Sequence, residues 1–170
     1  MGTHEWSKRL ITRSGCLFDV RPAHIGDEAK LTGLLAHVTA EDKAFRKITG
    51  HEVDIKITTL DHHPSKTFLA LIDQETEVIA AATLDCDMER QHGNVSLVIR
   101  SDFKHDGVSW ELLAHIVRYA EAIGVKSLES VEVPENQAAI ALEREMGFTE
   151  QNHPSNAALI LMRKTLGETG

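Results

Sequence analysis

The sequence has 170 residues, of which 42% are hydrophobic and 26% are charged, and its formal net charge at pH 7 is −8. This length fits one domain with a full core, and this composition is that of a globular protein rather than a disordered one. The excess of acidic residues argues against a nucleic-acid-binding surface, and no apolar stretch approaches the length of a membrane span. We therefore expect neither a nucleic acid nor a membrane as partner.

The beginning of the chain and the two cysteines indicate the cellular compartment. Residues 1–15, MGTHEWSKRLITRSG, are mixed and charged and lack the apolar centre of a secretory signal. We assign them to an N-terminal arm, either a short helix or a loose segment, and we assign residues 16–170 to a single domain. Cys16 and Cys86 lie in apolar strand-like runs without metal-ligand spacing, so we interpret them as reduced core thiols of a cytoplasmic protein.

The first half of the domain has patterns typical of one strand, two helices and a hairpin. One helix is predicted through EAKLTGLLAHV after Asp27, and a second begins at Thr39, where the stretch up to Asp42 fits a capping pattern. His62 and His63 lie in a weakly patterned polar stretch, and adjacent histidines alone do not make a metal site, so no metal is predicted. The predicted strands are residues 16–21, 67–72 and 78–85, the last two joined by the polar DQETE of a hairpin.

In the second half of the domain, strands alternate with helices. The clearest helix spans residues 107–124, with an apolar stripe made of Leu112, Leu113, Ile116, Ala120 and Ile123. A further helix is predicted over residues 136–146, and strands are predicted over residues 93–100, 127–133 and 157–166. The order β-α-α-β-β-β-α-β-α-β predicts an α/β fold with a mixed sheet and helices on both faces, in which residues 93–133 form a right-handed parallel crossover.

The stretch RSDFKHDGVSWELL, from Arg100 to Leu113, leads from a predicted strand into the long helix. A helix N-terminus offers unpaired N–H groups and the positive end of the helix dipole to a phosphate group. Gly107 gives the turn conformational freedom and Lys104 adds a positive charge, whereas Asp106 adds a negative one. An ordinary strand-to-helix turn with one glycine explains these residues equally well.

Two motifs resemble signatures of the GNAT superfamily of acyl-CoA N-acyltransferases, whose fold has the element order given above. They are Lys104-x-x-Gly107-x-Ser109 and PENQAAIALEREMGF, which runs from Pro134 to Phe148. The runs LVIRSDFK and VTAEDKAFRKI are similar to the acetyltransferase domain of bacterial protein lysine acetyltransferases, where that domain is attached to an acyl-CoA-synthetase-like region. The resemblance covers residues 17–166, and the synthetase-like region has no counterpart in this sequence.

The resemblance implies that acetyl-CoA is the co-substrate. The backbone of one strand would bind the pantetheine arm, with the Val98 N–H polarising the thioester carbonyl. The backbone of the loop before the long helix would bind the pyrophosphate, although His105 and Ser109 stand where the family has small residues. The cofactor-binding residues implied in this way are Leu97, Val98, Ile99, Lys104, His105, Asp106, Gly107, Val108, Ser109 and Asn136.

The residues that would handle protons depart from the family pattern. An attacking amine must be neutral, and a carboxylate or a water chain usually removes its proton. Where the lysine acetyltransferases have a glutamate base near the start of the fourth strand, this chain has Asn94. Where many family members have a tyrosine acid, it has Glu143, which we interpret as a surface residue. The catalytic candidates are therefore Asn94, by position, and Glu132, unless Glu132 is only a solvated carboxylate at the end of a strand.

Two functions follow from these patterns. The first is an acetyl-CoA-dependent N-acetyltransferase whose acceptor is an amine, either a protein lysine or a small molecule, attacked directly in a ternary complex. The second is a degenerate module that binds acyl-CoA or a partner without turnover. Asp85, Asp87 and Glu89 either attract a cationic acceptor or form a solvated loop. The sequence leaves open the acceptor and whether the chain forms a homodimer.

Overall fold

The computed structural model of the chain describes residues 6–49 and 64–167, so the predicted turn at His62 and His63 lies outside the described residues. The strands are β1 (Lys8–Ile11), β2 (Leu17–Pro22), β3 (Lys66–Ile72), β4 (Glu77–Cys86), β5 (His92–Ile99), β6 (Ser127–Glu132), β7 (Thr149–Asn152) and β8 (Ile160–Thr165). The α-helices are α1 (Glu28–Leu35), α2 (Ala40–Ile48), α3 (Val108–Ala122) and α4 (Gln137–Glu145). Within the described ranges, no helix has the length and apolar character needed to cross a membrane.

The strands form one mixed sheet in the order β1-β2-β3-β4-β5-β6-β8-β7. Every neighbouring pair is antiparallel except β5 and β6, which are parallel and are connected through α3. The mixed α/β fold predicted from the element order is thus confirmed, including the parallel pairing across residues 93–133.

Helices cover both faces of this sheet, as the strand residues of β3 show. Leu69 packs in one cluster with Leu31 and Leu34 of α1, whereas its neighbour Phe68 packs in a second cluster with Leu112 of α3. Successive strand residues point to opposite faces, so α1 and α3 lie on opposite sides of the sheet. The helix α4 contributes Ile140 to the cluster that contains α3.

Two edge strands were not predicted, because their sequences carry little of the apolar alternation that marks a strand. In β1, which lies within the stretch assigned to an N-terminal arm, only Leu10 is buried, and it pairs with Phe18 of β2. In β7 all four residues are exposed, and the strand is held by its antiparallel pairing with β8. Edge strands need only one partner, so their backbone pairing can form without an apolar face.

Of the two helix caps predicted in the first half of the chain, the one at α2 is present and the one at α1 is not. The Thr39 hydroxyl accepts a hydrogen bond of 3.1 Å from the Asp42 N–H and so caps α2 as predicted. Asp27 precedes α1, yet its carboxylate accepts hydrogen bonds from both terminal nitrogens of Arg21, each 2.8 Å long, and from the His24 N–H. The Asp27 side chain therefore joins the start of α1 to β2 and does not cap the helix.

The parallel pair β5 and β6 separates soon after it begins. Only His92, Gly93 and Asn94 of β5 pair with β6, although β5 stays paired with β4 as far as Ile99. On its other side, β6 pairs with β8 along its whole length, from Ser127 to Glu132. The two strands therefore diverge into a wedge, and the β5 backbone facing that wedge has no strand partner in the described part of the chain.

Candidate functional site

A cavity of about 190 Å³ occupies the wedge between β5 and β6. Its walls come from both diverging strands, from α2, from α4, and from the loop and first turn of α3. The lining residues are Asp42, Phe45, Arg46, Thr49, Val95, Ser96, Leu97, Val98, Ile99, Lys104, Ser109, Leu113, Ser130, Val131, Glu132, Asn136, Ala138, Ala139, Leu142, Glu143 and Phe148.

The predicted site residues divide into two groups around this cavity. Those that line it are Leu97, Val98, Ile99, Lys104, Ser109, Glu132 and Asn136. Those outside its lining are Asn94, His105, Asp106, Gly107 and Val108. The side chain of Val108 is fully buried in the hydrophobic core, so this residue could contribute only backbone groups to a ligand.

The N-terminus of α3 points its first-turn N–H groups towards the loop that precedes it. The first N–H groups of any α-helix have no carbonyl partner within the helix, and the helix dipole makes this end positive. Ser109, in that first turn, lines the cavity. The cavity thus reaches a place where the backbone favours an anion.

Gly107 is required by the conformation of this loop. It immediately precedes α3 with φ +83°, a left-handed conformation that other residues rarely adopt. A Cβ atom at this position would lie 3.2 Å from the Thr12 Cβ, in the turn between β1 and β2. The glycine therefore lets the loop pack closely against the N-terminal hairpin, and a side chain there would meet protein rather than open space.

Asp106 is held on the side of the loop that faces the N-terminal hairpin. Its carbonyl oxygen accepts a 2.9 Å hydrogen bond from the Ser14 hydroxyl. Burial and, to a smaller extent, the negative charge of Asp106 raise the pKa of the Cys16 thiol. Cys16 is half-buried and Cys86 is buried, and both are free thiols.

Lys104 forms an ion pair across the cavity wall with α2. Its ammonium nitrogen lies 3.0 Å from Asp42 Oδ2 and 3.1 Å from Oδ1, and the two side chains are only 26% and 20% exposed. Both residues line the cavity. The positive charge predicted for an anion site is therefore present, but a carboxylate engages it in this structure.

A cluster of polar side chains forms the wall made by β6 and α4. Ser130 Oγ lies 3.0 Å from Glu132 Oε1 and 2.9 Å from Glu143 Oε1. The Asn136 amide donates a 3.3 Å hydrogen bond to Glu132 Oε2, and its own oxygen caps α4 by accepting from the Ala139 N–H. Of the two interpretations of Glu132, the structure thus favours the one in which it faces the diverging strands.

The interpretation of Glu143 as a surface residue is wrong. Its side chain is buried, with 6% of the residue exposed, and it lines the cavity. Burial in the first place, and the nearby Glu132 carboxylate in the second, raise the pKa of Glu143 to about 10. The sequence did contain a signal, because Asn136, Ile140 and Glu143 recur at the spacing of one helix face; the flanking charges of Arg144 and Glu145 concealed it.

Asn94 lies where β5 and β6 are still paired. Its direct cross-strand partners are Asp85 of β4 and Glu129 of β6, and its side chain is exposed. Paired residues share a face of the sheet, so Asn94 lies between two carboxylates, and Glu129 in turn lies 3.6 Å from the guanidinium of Arg163 on β8. An amide cannot accept the proton of an ammonium group, so a base must come from elsewhere.

The polar residues at the end of β4 and in the turn after it mainly hold local structure. Asp87 Oδ1 accepts a 2.9 Å hydrogen bond from the His92 N–H, and His92 Nδ1 lies 2.9 Å from the Ser127 hydroxyl. Asp85 is 3.4 Å from the Ser65 hydroxyl. None of these residues lines the cavity.

The wall contributed by α2 could not be predicted from the sequence. Asp42, Phe45, Arg46 and Thr49 line the cavity, and no residue of α2 is fully buried. A helix whose apolar residue faces a cavity has the same periodicity as one that packs on a core. Arg46 is half-buried, and this burial lowers the pKa of its guanidinium.

Comparison with known proteins gives a consistent result. A model of the acetyltransferase (GNAT) family matches residues 35–148. The GNAT domain of S. lividans PAT is similar over 98% of this chain and 100% of its own, with a TM-score of 0.85 and 19% identity. A GNAT-family acetyltransferase from Streptococcus pneumoniae matches at 23% identity and TM-score 0.70, over 87% of this chain and 98% of its own. A phosphinothricin acetyltransferase from Sinorhizobium meliloti, solved with AcCoA, matches at 18% identity and TM-score 0.67, over 89% of each chain.

Proposed function

Because the chain belongs to the GNAT acetyltransferase family, whose model matches two-thirds of its length, we propose that it is an acetyl-CoA-dependent N-acetyltransferase. It transfers an acetyl group to a primary amine, a protein lysine or a small-molecule amine, by direct attack in a ternary complex. The observation that carries this proposal is the wedge between β5 and β6, which joins an unpaired strand edge to the N-terminus of α3 in one cavity.

The strand edge supports binding of the pantetheine arm. After Asn94, the β5 backbone groups that face β6 have no strand partner in the described residues, and Val95 to Ile99 line the cavity. Pantetheine is an extended chain with two amide groups, and such a chain can pair with a free strand edge as an added strand would. Its thioester end would lie between β5 and the polar wall of β6 and α4.

The loop before α3 supports binding of the pyrophosphate. The first-turn N–H groups of α3, the Ser109 hydroxyl and the Lys104 ammonium are donors of the kind that phosphate oxygens accept. Lys104 would exchange its Asp42 partner for a phosphate group. The pantetheine arm and the pyrophosphate of acetyl-CoA would thus each have chemically suitable partners at the cavity.

A matched pair of serine variants tests this assignment. Aspartate in the first turn of a helix stabilises the helix, so S109D should fold while placing a negative charge where the pyrophosphate binds. We expect at least a tenfold loss of acetyl-CoA affinity, measured by calorimetry. S101D adds the same charge at an exposed position of the same loop, outside the cavity lining, and should bind like the wild type. Unchanged affinity in S109D would refute the pyrophosphate site.

A further inference from the structure

In the wall formed by β6 and α4, two carboxyl groups contact the same serine hydroxyl. Ser130 Oγ lies within 3.0 Å of Glu132 Oε1 and at 2.9 Å from Glu143 Oε1. A serine hydroxyl has only one proton to donate. Both contacts are hydrogen bonds only if one of the carboxyl groups is itself protonated and donates to the serine oxygen.

The proton belongs on Glu143 rather than on Glu132. Glu143 is buried, whereas Glu132 is half-buried and also accepts a hydrogen bond from the Asn136 amide, which favours the ionised form. The second oxygen of Glu143, Oε2, is buried and has no hydrogen-bond partner in the described part of the chain. A buried carboxyl without this partner is stable only as the neutral acid, in agreement with its raised pKa.

This neutral acid lines the cavity in which the thioester would react. A carboxyl group that is neutral at physiological pH is a proton donor, and its ionised neighbour is a proton acceptor. The remaining ionisable side chains of the cavity lining are Asp42 and Arg46 on α2 and Lys104 in the loop. Asp42 and Lys104 form an ion pair with each other. Glu132 and Glu143 are therefore the carboxyl groups of the lining that can act as base and acid.

We propose that Glu132, Ser130 and Glu143 form a proton shuttle for acetyl transfer, in which Glu132 receives a proton from the acceptor amine and Glu143 donates one to the departing coenzyme A sulfur. This inference rests on the proposed function. It assigns both proton transfers to side chains of this cavity and none to Asn94.

The proton transfers balance over one turnover. The amine nitrogen bonds to the acetyl carbon and gives one proton to Glu132, while the carbon–sulfur bond breaks and the sulfur keeps its electron pair. Glu143 supplies the proton that converts the sulfur to a thiol. Ser130 then restores the pair, since it gives its proton to the Glu143 carboxylate and takes the one held by Glu132. An amine that arrives as an ammonium ion loses its additional proton to solvent.

Three variants test the shuttle. E143Q keeps a neutral side chain of the same shape but has no proton to give, and S130A removes the link between the two carboxyl groups. E145Q, an exposed residue of the same helix outside the cavity lining, is the matched control. For each protein we would measure acetyl-CoA affinity by calorimetry, turnover of one accepted amine, and the infrared carbonyl band of protonated carboxylic acids at neutral pH.

The shuttle predicts a separate result for each variant. E143Q binds acetyl-CoA within about threefold of the wild type, loses roughly a hundredfold or more in kcat, and lacks the infrared band that the wild type and E145Q show. S130A makes its first product at the wild-type rate, because Glu143 begins protonated, and then slows, which appears as a burst of one product per molecule.

The outcomes that contradict the shuttle are distinct from a failure of the proposed function. An active wild type with an equally active E143Q overturns the shuttle alone, as does an infrared band that persists in E143Q or an S130A variant without a burst. A loss of acetyl-CoA affinity in E143Q as large as its loss of turnover assigns Glu143 a structural role instead. A wild type that binds acetyl-CoA and acetylates no amine overturns the proposed function, and the shuttle with it.

Discussion

Lys104 and Asp42 form an ion pair of 3.0 Å between the loop before α3 and the helix α2, and both line the cavity. A phosphate group that binds at this loop must compete with Asp42 for the Lys104 ammonium. We therefore expect D42N to bind acetyl-CoA severalfold more tightly than the wild type, since even an exposed ion pair is worth up to about 1 kcal/mol and this pair is mostly buried.

The control for this prediction is K104Q, which should weaken acetyl-CoA binding. Both differences should shrink as salt is raised, because salt screens partly exposed charges. The measurement is calorimetric affinity at low and high ionic strength. A D42N variant that binds no more tightly than the wild type at low salt would contradict the competition.

Glu143 makes the stability of the protein depend on pH. In the unfolded chain its carboxyl group ionises near its ordinary pKa of 4.5, whereas in the folded protein it keeps its proton up to a pKa of about 10. Its contribution to stability is therefore most favourable below pH 4.5 and declines as pH rises between these two values. E143Q removes this decline, so its melting temperature should exceed that of the wild type by more at pH 9 than at pH 5.

E145Q serves again as the control, because Glu145 is exposed and should give no difference that grows with pH. Thermal unfolding of the three proteins at several pH values is the measurement. A difference between E143Q and the wild type that stays constant from pH 5 to pH 9 would show that Glu143 is ionised in the folded state.

Asn94 should matter little for turnover. It lies between Asp85 and Glu129 on neighbouring strands and outside the cavity lining. N94A should keep kcat within about twofold, well short of the effect of a positioned base. N94E should lower the free energy of unfolding by roughly 0.2–1 kcal/mol, because it places a carboxylate between Asp85 and Glu129, of which only Glu129 has a cation, Arg163, within 4 Å in the described residues. Faster turnover in N94E than in N94Q would instead identify this position as the site of a base.

Gly107 and Gly124 have the same backbone conformation but different surroundings. Their φ angles are +83° and +85°, yet a Cβ at Gly107 would meet Thr12 at 3.2 Å, whereas one at Gly124 would meet nothing within 4 Å. Each alanine variant should lose about 1–2 kcal/mol from the left-handed conformation. G107A should lose more in urea unfolding because of the added contact. An equal loss in the two variants would mean that the loop moves away from Thr12 at no cost.

Most elements of the fold were predictable from the sequence because their apolar residues recur with the period of a helix or of a strand. The apolar stripe of α3, from Leu112 to Ala120, is buried as its period indicates. The edge strands β1 and β7 escaped prediction because backbone pairing holds them in place, and pairing leaves little mark on composition.

The residues of the candidate site were predictable mainly where they belong to one contiguous sequence motif. The strand edge from Leu97 to Ile99 and the loop residues Lys104 and Ser109 do reach one cavity. Asp42 of α2 lies far in sequence from the other residues of the cavity, and Glu143 of α4 lies within a predicted motif but is flanked by charges that are typical of a surface. Their roles depend on which helix face is turned towards the wedge, and tertiary packing decides that.

We propose above that the wedge between β5 and β6 is where an acetyl group passes from acetyl-CoA to an amine. The most direct measurement incubates the wild-type protein with acetyl-CoA and a panel of primary amines and lysine-containing peptides, and quantifies free thiol and acetylated amine together. We expect thiol and acetylated amine in equal amounts for at least one acceptor, with loss of both products in S109D and of neither in S101D. Tight binding of acetyl-CoA with no acetylated amine from any acceptor would contradict the proposal and identify a binding module without turnover.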